Sequence, residues 1–328
     1  ESEAEMLRLE QIAQKLNKPA RISIRVNPNV DAKTHPYIST GLNENKFGVS
    51  IETARKMYIY AKKSKFLNPV GIHFHIGSQL TDISPICDAA KIVSDLLREL
   101  RALEIDIKFF DVGGGIGIRY EDEKQIVLYD YAQGILKSLS GLDVTIVCEP
   151  GRFIAGAAGV FLPRVLYEKQ NCGKRFVIVD GAMNDLIRPS LYGAHHAIEI
   201  IGASEGINLN EAGDSEVNLG GRGADQTSGS CTDQKNLSGV NLAETSLCDV
   251  VGPICESGDF LAKGVSLPSL QSGDLLAIKS AGAYGFSMSS NYNTRCRAAE
   301  VAIYDGQDRL IRRRESFDEL IALEKDFV

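Results

Sequence analysis

The chain has 328 residues, 44% of them hydrophobic and 24% charged, an ordinary globular composition long enough for two domains and a sizeable core. A net charge of −7 argues against nucleic acid or an anionic membrane as the main partner, and no apolar run approaches the roughly 20 residues of a membrane span. The seven cysteines, at 87, 148, 172, 231, 248, 255 and 296, form no CxxC pair and no disulfide-like rhythm, so they read as reduced thiols of a cytoplasmic protein.

The chain opens without a methionine, inside a helical pattern of Met6, Leu7, Leu9, Ile12, Ala13 and Leu16, and the expectation is that an amino-terminal part is missing from this numbering. Arg21–Val26 alternates polar and apolar and reads as a strand. Asn27-Pro28-Asn29 opens a loop that runs to Lys46-Phe47-Gly48, and Ser50 is the expected N-cap of a helix through about Lys63. Pro69–Ile76 is the next strand, followed by a helix from Ser84-Pro85 with Ile86, Ala89, Val93, Leu96, Leu97, Leu100 and Leu103 as its stripe. Ile107–Val112, a helix over Tyr129–Leu139 and Val144–Glu149 close the series. Strands alternating with helices at this pitch imply a parallel sheet with helical crossovers, and both a doubly wound sheet and half of a (β/α)8 barrel fit.

From Phe161 the texture changes. Leu162–Glu168, Phe176–Asp180, Leu275–Lys279 and Arg297–Tyr304 are strand-like without intervening helices. Residues 202–247, rich in Gly, Ser, Asn and Asp and without periodicity, are expected to be a disordered insertion. Ser316 and Glu319 form a capping-box pattern for a last helix through Leu323.

The strand ends carry the chemistry. Val144–Val147 is apolar and β-branched, then breaks at Cys148-Glu149-Pro150-Gly151-Arg152. A carboxylate before such a turn can hold a protonated ring nitrogen, while the turn amides can hold a phosphate. His73-Phe74-His75-Ile76-Gly77-Ser78-Gln79 places two histidines on one face, with His75 nearer the tip. A zinc pair there lacks a third ligand nearby. Asp111-Val112-Gly113-Gly114-Gly115 lets backbone N–H groups approach an anion.

These runs stand in order with Arg25-Val26-Asn27-Pro28, His35-Pro36-Tyr37, Thr40-Gly41, Asn45-Lys46-Phe47-Gly48, Asp180–Asp185, Arg188-Pro189-Ser190-Leu191-Tyr192, Cys255-Glu256-Ser257-Gly258-Asp259 and Gly282-Ala283-Tyr284-Gly285. Together they resemble the diaminopimelate decarboxylases, within the fold-type III pyridoxal-phosphate enzymes, over nearly all the chain except 202–247. The resemblance implies a (β/α)8 TIM-type barrel, its later strands in residues 1–158, followed by a mostly β domain in 159–328. It implies pyridoxal 5'-phosphate as cofactor, meso-diaminopimelate as substrate and a homodimer with shared active sites. His75 would stack on the pyridine ring and Glu149 would pair with its nitrogen. Ser78, Gly115, Pro150, Gly151, Arg152 and Tyr284 would line the cofactor and its phosphate. Arg152, Arg188, Tyr192 and Tyr284 would hold the substrate's distal end, a carboxylate that suits a guanidinium fork. Glu256 would meet the distal ammonium, and Cys255 would donate a proton into a neighbouring subunit's site.

Three departures accompany the resemblance. The family's Schiff-base lysine lies in a YAxKAN-like run on the first barrel strand, and no such run occurs here; Lys46 belongs to the KFG loop. The 202–247 segment is an insertion where the family keeps a short loop. Cys296 stands in NTRCR, where proline or another residue is common, and carries no assigned function. The expected activity is decarboxylation of meso-diaminopimelate to L-lysine. The alternatives are a decarboxylase of another basic amino acid, or an inactive pyridoxal-phosphate-binding regulator if the lysine is absent from the gene.

Overall fold

A computed structural model describes residues 1–32, 40–41, 46–201 and 245–327. The His35-Pro36-Tyr37 motif, Asn45 and residues 202–244 of the expected insertion lie outside the described residues. The chain divides into two compact units, one of Glu1–Phe161, Asn184–Ala197 and Lys279–Val328, the other of Leu162–Met183 and Ile198–Ile278. The region 159–328, expected as one β-rich domain, is thus shared between the two units.

In the first unit, α1 (Glu3–Lys15), β1 (Ala20–Arg25), α2 (Ile51–Lys63), β2 (Leu67–His73), α3 (Ser84–Ala102), β3 (Phe109–Asp111), α4 (Leu128–Ser138) and β4 (Thr145–Val147) follow one another. The four strands form a parallel sheet in the order β1-β2-β3-β4. Each strand lies beside its neighbour in sequence, with no reversal of strand order. That is the winding of a barrel segment; a doubly wound sheet reverses at a switch point.

Local signals account for the helices. The Ser50 hydroxyl accepts from Thr53 N–H at 3.2 Å and caps α2, and Pro85 sits in the first turn of α3, where its missing N–H costs nothing. The α3 stripe of Ile86, Ala89, Val93, Leu96, Leu97 and Leu100 is buried, joining Ile24, Ile72, Phe74 and Phe110 of the sheet in one core. Leu103, expected to extend that stripe, is the C-cap and lies exposed. In α1 only Met6 and Ala13 are buried. Tyr58 of α2 is fully buried, and its hydroxyl donates to the Gly71 carbonyl at 2.7 Å, satisfying a polar group inside the helix–sheet core.

β2 ends at His73, three residues short of the expected Ile76. Beyond it the chain trades partners: Phe74 N–H still reaches the Asp111 carbonyl at 3.1 Å, but the Ile76 carbonyl accepts from Thr40 N–H at 3.0 Å. The first unit continues through α5 (Gly151–Ala155).

The second unit holds β5 (Val165–Asn171) and β6 (Lys174–Val179). After α6 (Arg188–Tyr192) of the first unit, it resumes with β7 (Ile198–Ile201), β8 (Ser246–Val251), β9 (Phe260–Leu267) and β10 (Leu275–Ile278). One sheet has the order β5-β6-β8-β9, and β7 pairs antiparallel with β10. Ser246 and Leu247, expected at the end of the insertion, begin β8. Arg175 is buried in this unit and binds the Glu168 carboxylate, the Leu267 carbonyl at 2.7 Å and the Pro268 carbonyl. The carboxy-terminal part of the first unit pairs β11 (Glu300–Tyr304) with β12 (Gln307–Arg312) and ends in the single turn α7 (Phe317–Leu320). The Ser316–Glu319 capping box forms, but the helix stops at Leu320, short of Leu323.

Tyr58→Phe keeps the ring and removes the hydrogen bond to the Gly71 carbonyl. It should lower stability by about 1–2 kcal/mol, read as a lower urea midpoint with an unchanged slope.

Candidate active site

The parallel register sets the site. Arg25 pairs with His73, His73 with Asp111 and Asp111 with Val147, so four strand ends form one row. Side chains alternate across a sheet. With Ile24, Ile72 and Phe110 turned into the helix-packed core, Arg25, His73 and Asp111 fall on the opposite face. Two residues beyond each partner come His75, Gly113 and Glu149 on that same face. The Gly113 carbonyl accepts from Glu149 N–H at 2.8 Å and extends the ladder past the strands. His73 Nε2 lies 3.8 Å from Glu149 Oε2.

The three glycines after β3 serve close approach. Gly113 and Gly115 have φ of +66° and +99°, and a Cβ on Gly114 would stand 2.2 Å from the Glu149 carbonyl. The space freed lets Gly114 N–H donate to His75 Nδ1 at 3.2 Å. An N–H can only donate, so Nδ1 is the acceptor and the neutral ring carries its proton on Nε2. Burial, reinforced by Arg25 and then by His73, lowers the His75 pKa to about 4. Burial likewise lowers that of His73, against the opposing pull of Asp111.

After Glu149 the chain turns into α5. Gly151 N–H donates to the Glu149 carbonyl at 2.8 Å, and a Cβ on Gly151 would meet nothing within 4 Å. Arg152 is buried all the same. Its Nη2 donates to Ser78 Oγ at 3.0 Å and its Nη1 to the Tyr120 hydroxyl at 2.6 Å. Its guanidinium carbon stands 4.7 Å from the centre of the Tyr284 ring. Tyr284 has a φ of +59°, a left-handed conformation that a non-glycine residue holds only where its surroundings enforce it. Gly282 of the same run packs so closely that a Cβ would stand 2.0 Å from the Ala155 carbonyl.

Arg188 opens α6 and is 5% exposed. Its guanidinium carbon lies 4.5 Å from the centre of the Tyr120 ring, and its Nη1 is 2.7 Å from His196 Nε2. Gly193, with φ +59°, ends α6 in the left-handed region and turns the chain so that His196 returns to Arg188. His196 is 1% exposed, with Nδ1 2.8 Å from the Lys279 carbonyl. Arginine can only donate and a carbonyl can only accept, so Nδ1 bears the proton and Nε2 receives the Arg188 N–H. Burial lowers the His196 pKa to about 4, and the Arg188 cation pushes it the same way. Burial also lowers the Arg188 pKa, with Arg152 adding to it. Tyr192, at the end of α6, is near enough to Arg188 to act on its charge.

The first unit thus gathers His75, Ser78, Gly115, Glu149, Pro150, Gly151, Arg152, Arg188, Tyr192 and Tyr284 of the sequence-derived set. Cys255 and Glu256 belong to the second unit, exposed in the loop between β8 and β9. Asp259 holds that loop, accepting from Met183 N–H and Ile254 N–H at 2.7 Å each. Sequence reasoning missed Tyr120, His196 and the Gln79 amide, which clamps Ile118 by accepting its N–H at 3.1 Å and donating to its carbonyl at 2.6 Å.

The residues present suit pyridoxal phosphate. Among the described residues no carboxylate lies within ion-pair distance of Arg152 or Arg188, and the Nε of each is buried without a partner. A buried guanidinium without a counter-ion is costly unless an anion arrives. A phosphate could meet Ser78 and Arg152 beside the sterically open Gly151, while the half-exposed Glu149 carboxylate could take a ring N–H.

Comparison with known proteins agrees. Residues 1–156 match the family described as "Pyridoxal-dependent decarboxylase, pyridoxal binding domain". The diaminopimelate decarboxylase of Campylobacter jejuni is 60% identical over 329 residues, covering 100% of this chain and 72% of that protein. That of Helicobacter pylori is 51% identical over 326 residues, 99% of this chain and 72% of the relative. The crystal structure of the Helicobacter pylori enzyme complexed with L-lysine matches 100% of this chain and 73% of its own, at 51% identity and a TM-score of 0.86.

The unfolded chain protonates its histidines near their ordinary value of about 6.5, whereas His75 and His196 resist protonation down to about 4. The unfolded state therefore binds protons first, and stability falls as pH drops from about 6.5 to 4. Replacing His196 with Gln should flatten that decline, measured as the urea midpoint against pH.

Proposed function

The chain belongs to the diaminopimelate decarboxylase family of pyridoxal-phosphate enzymes, and we propose that it converts meso-2,6-diaminopimelate to L-lysine and carbon dioxide as a homodimer with shared active sites in the cytoplasm. The observation that carries the choice of substrate is the pair of buried arginines without a carboxylate partner among the described residues. A substrate with a second carboxylate supplies the missing anion. A basic amino acid ending in an amine would add a cation to two others. The cytoplasmic assignment draws on the free thiols of the six described cysteines.

Bound at the strand ends, pyridoxal phosphate supplies an electron sink for the pair released when the bond to the departing carboxylate breaks. Glu149 keeps a proton on the ring nitrogen and so maintains that sink. His75, held neutral and oriented by Gly114 N–H, offers a flat uncharged face to the ring. Ser78, Gly115, Pro150, Gly151 and Arg152 take the phosphate end, with Tyr284 beside Arg152. Arg188, with Arg152, Tyr192 and Tyr284 around it, holds the carboxylate that is retained, and Glu256 meets the distal ammonium. Once carbon dioxide leaves, the carbon needs one proton; the Cys255 thiol supplies it and is reprotonated from solvent. The exposed loop that Asp259 ties down suits a group offered to a neighbouring subunit.

In the intact enzyme Arg188→Ala should cost a few kcal/mol of transition-state binding, and much less with D-lysine, which lacks the second carboxylate. Equal losses in kcat/KM for both substrates would refute this assignment. Cys255→Ala should retain the cofactor and lower turnover by about 10²–10⁴. Mixing it with Glu149→Ala, each strongly impaired alone, should restore activity, because one heterodimer site then carries both lesions and the other neither. No recovery after demonstrated subunit exchange would mean that Cys255 serves its own subunit.

A further inference from the structure

Arg188 has five N–H donors and one of them is committed, to His196 Nε2 at 2.7 Å. Its Nε is buried and unpaired, and its guanidinium carbon lies over the Tyr120 ring, 4.5 Å from the centre. The direction of the remaining donors is therefore set by the neighbouring ring and by this single acceptor. His196 is itself fixed from behind, by its Nδ1 on the Lys279 carbonyl at 2.8 Å, while Lys279 N–H donates to the Ala197 carbonyl at 2.9 Å. The Tyr120 ring completes the frame, its centre 5.2 Å from that of the imidazole and the two planes inclined at 74°.

We propose that His196 is the positioning residue for Arg188. Its uncharged, single-tautomer imidazole accepts one guanidinium N–H and turns the free edge of the fork toward the substrate's retained carboxylate. This rests on the reading of Arg188 given above. The choice of a neutral acceptor is the functional part of the arrangement. A carboxylate at position 196 would hold Arg188 as firmly but would neutralise it, and the substrate anion would then compete with an internal one. A neutral nitrogen orients the cation and leaves its charge available. The groups facing His196 are Arg188, Arg152, Tyr120, His195 and the Lys279 carbonyl, so none among them is a carboxylate. The same clamp joins α6 to the segment that leads from Lys279 to Tyr284, and thereby couples Arg188 to the ring beneath Arg152.

The test uses the intact holoenzyme with two ligands, L-lysine, which retains the carboxylate, and 1,5-diaminopentane, which lacks it. His196→Asn preserves an amide near Nδ1 for the Lys279 carbonyl and removes the acceptor for Arg188. His196→Gln places its amide oxygen near Nε2 and restores that acceptor. Calorimetry should give L-lysine binding weakened about tenfold or more in His196→Asn, the usual worth of a hydrogen bond to a charged group. Binding of 1,5-diaminopentane should change less than about twofold, and His196→Gln should recover most of the L-lysine affinity. In steady state the Asn variant should raise KM for diaminopimelate by a similar factor, with kcat within about threefold of the parent. Equal weakening of both ligands, no weakening of either, or a Gln variant as impaired as Asn would overturn the proposal. Arg188→Ala separates the two levels. If it is selective for L-lysine while His196→Asn is not, the positioning role alone is wrong; if it is unselective, the reading of Arg188 fails.

Discussion

Two guanidinium groups are buried around one tyrosine, and among the described residues no carboxylate reaches either. Much of the site follows from that constraint. Each cation must recover part of its lost hydration from neutral acceptors, and the chain provides them: Ser78 Oγ and the Tyr120 phenol for Arg152, the Tyr120 ring and His196 for Arg188. Burial of Arg175 in the second unit offers the contrast. It is met by the Glu168 carboxylate and by the Leu267 and Pro268 carbonyls. That guanidinium is a structural rivet, fully answered from within. Arg152 and Arg188 are answered only in part, and the unanswered part is capacity for an anion.

The backbone delivers these groups by simple rules. Parallel register aligns Arg25, His73, Asp111 and Val147, and the period of two carries His75 and Glu149 onto the same face. The glycines after β3 then allow that row to close up, with the Gly114 amide on the His75 ring and its Cα against the Glu149 carbonyl. Any side chain at Gly114 would strike main chain at 2.2 Å, so the close packing of Gly114 between His75 and Glu149 depends on the missing Cβ.

Much of this was legible in the sequence, for reasons that also explain the rest. The βα repeats announce themselves through alternation in Arg21–Val26 and a helical stripe in α3. Strand-tip residues could be found because strand and turn chemistry are local. β7, β8, β9 and β12 were not found. β12 is exposed at every position and β9 holds a glycine at its fifth, so neither shows a clean alternation. The assignment of 184–197 and 279–328 to the first unit is a matter of tertiary contact and leaves no mark on local pattern. Tyr120 and His196 were missed for the same reason. Tyr120 stands in an irregular run and His196 beside a second histidine, and the 75 residues between them are closed only by the fold. The one available hint was Gly193 after a five-residue helix, a left-handed stop that returns the chain toward Arg188.

Burial and hydrogen bonding together explain why two histidines in one unit stay neutral and yet present different faces. His75 accepts on Nδ1 from a backbone amide, which leaves Nε2 protonated; His196 donates from Nδ1 to a carbonyl, which leaves Nε2 as an acceptor. The tautomers are opposite because one ring faces a donor and the other an acceptor, each supplied by main chain that cannot change its role. A protonated His75 would repel the Gly114 N–H, and a protonated His196 would set an N–H against Arg188. Each protonation would thus cost a hydrogen bond as well as the desolvation of a charge. The positive potential of the site is therefore carried by the arginines, whose protons are not in play near neutral pH, while the imidazoles serve as fixed dipoles. An anion-binding site built this way holds its charge constant across the pH range in which histidine ordinarily titrates.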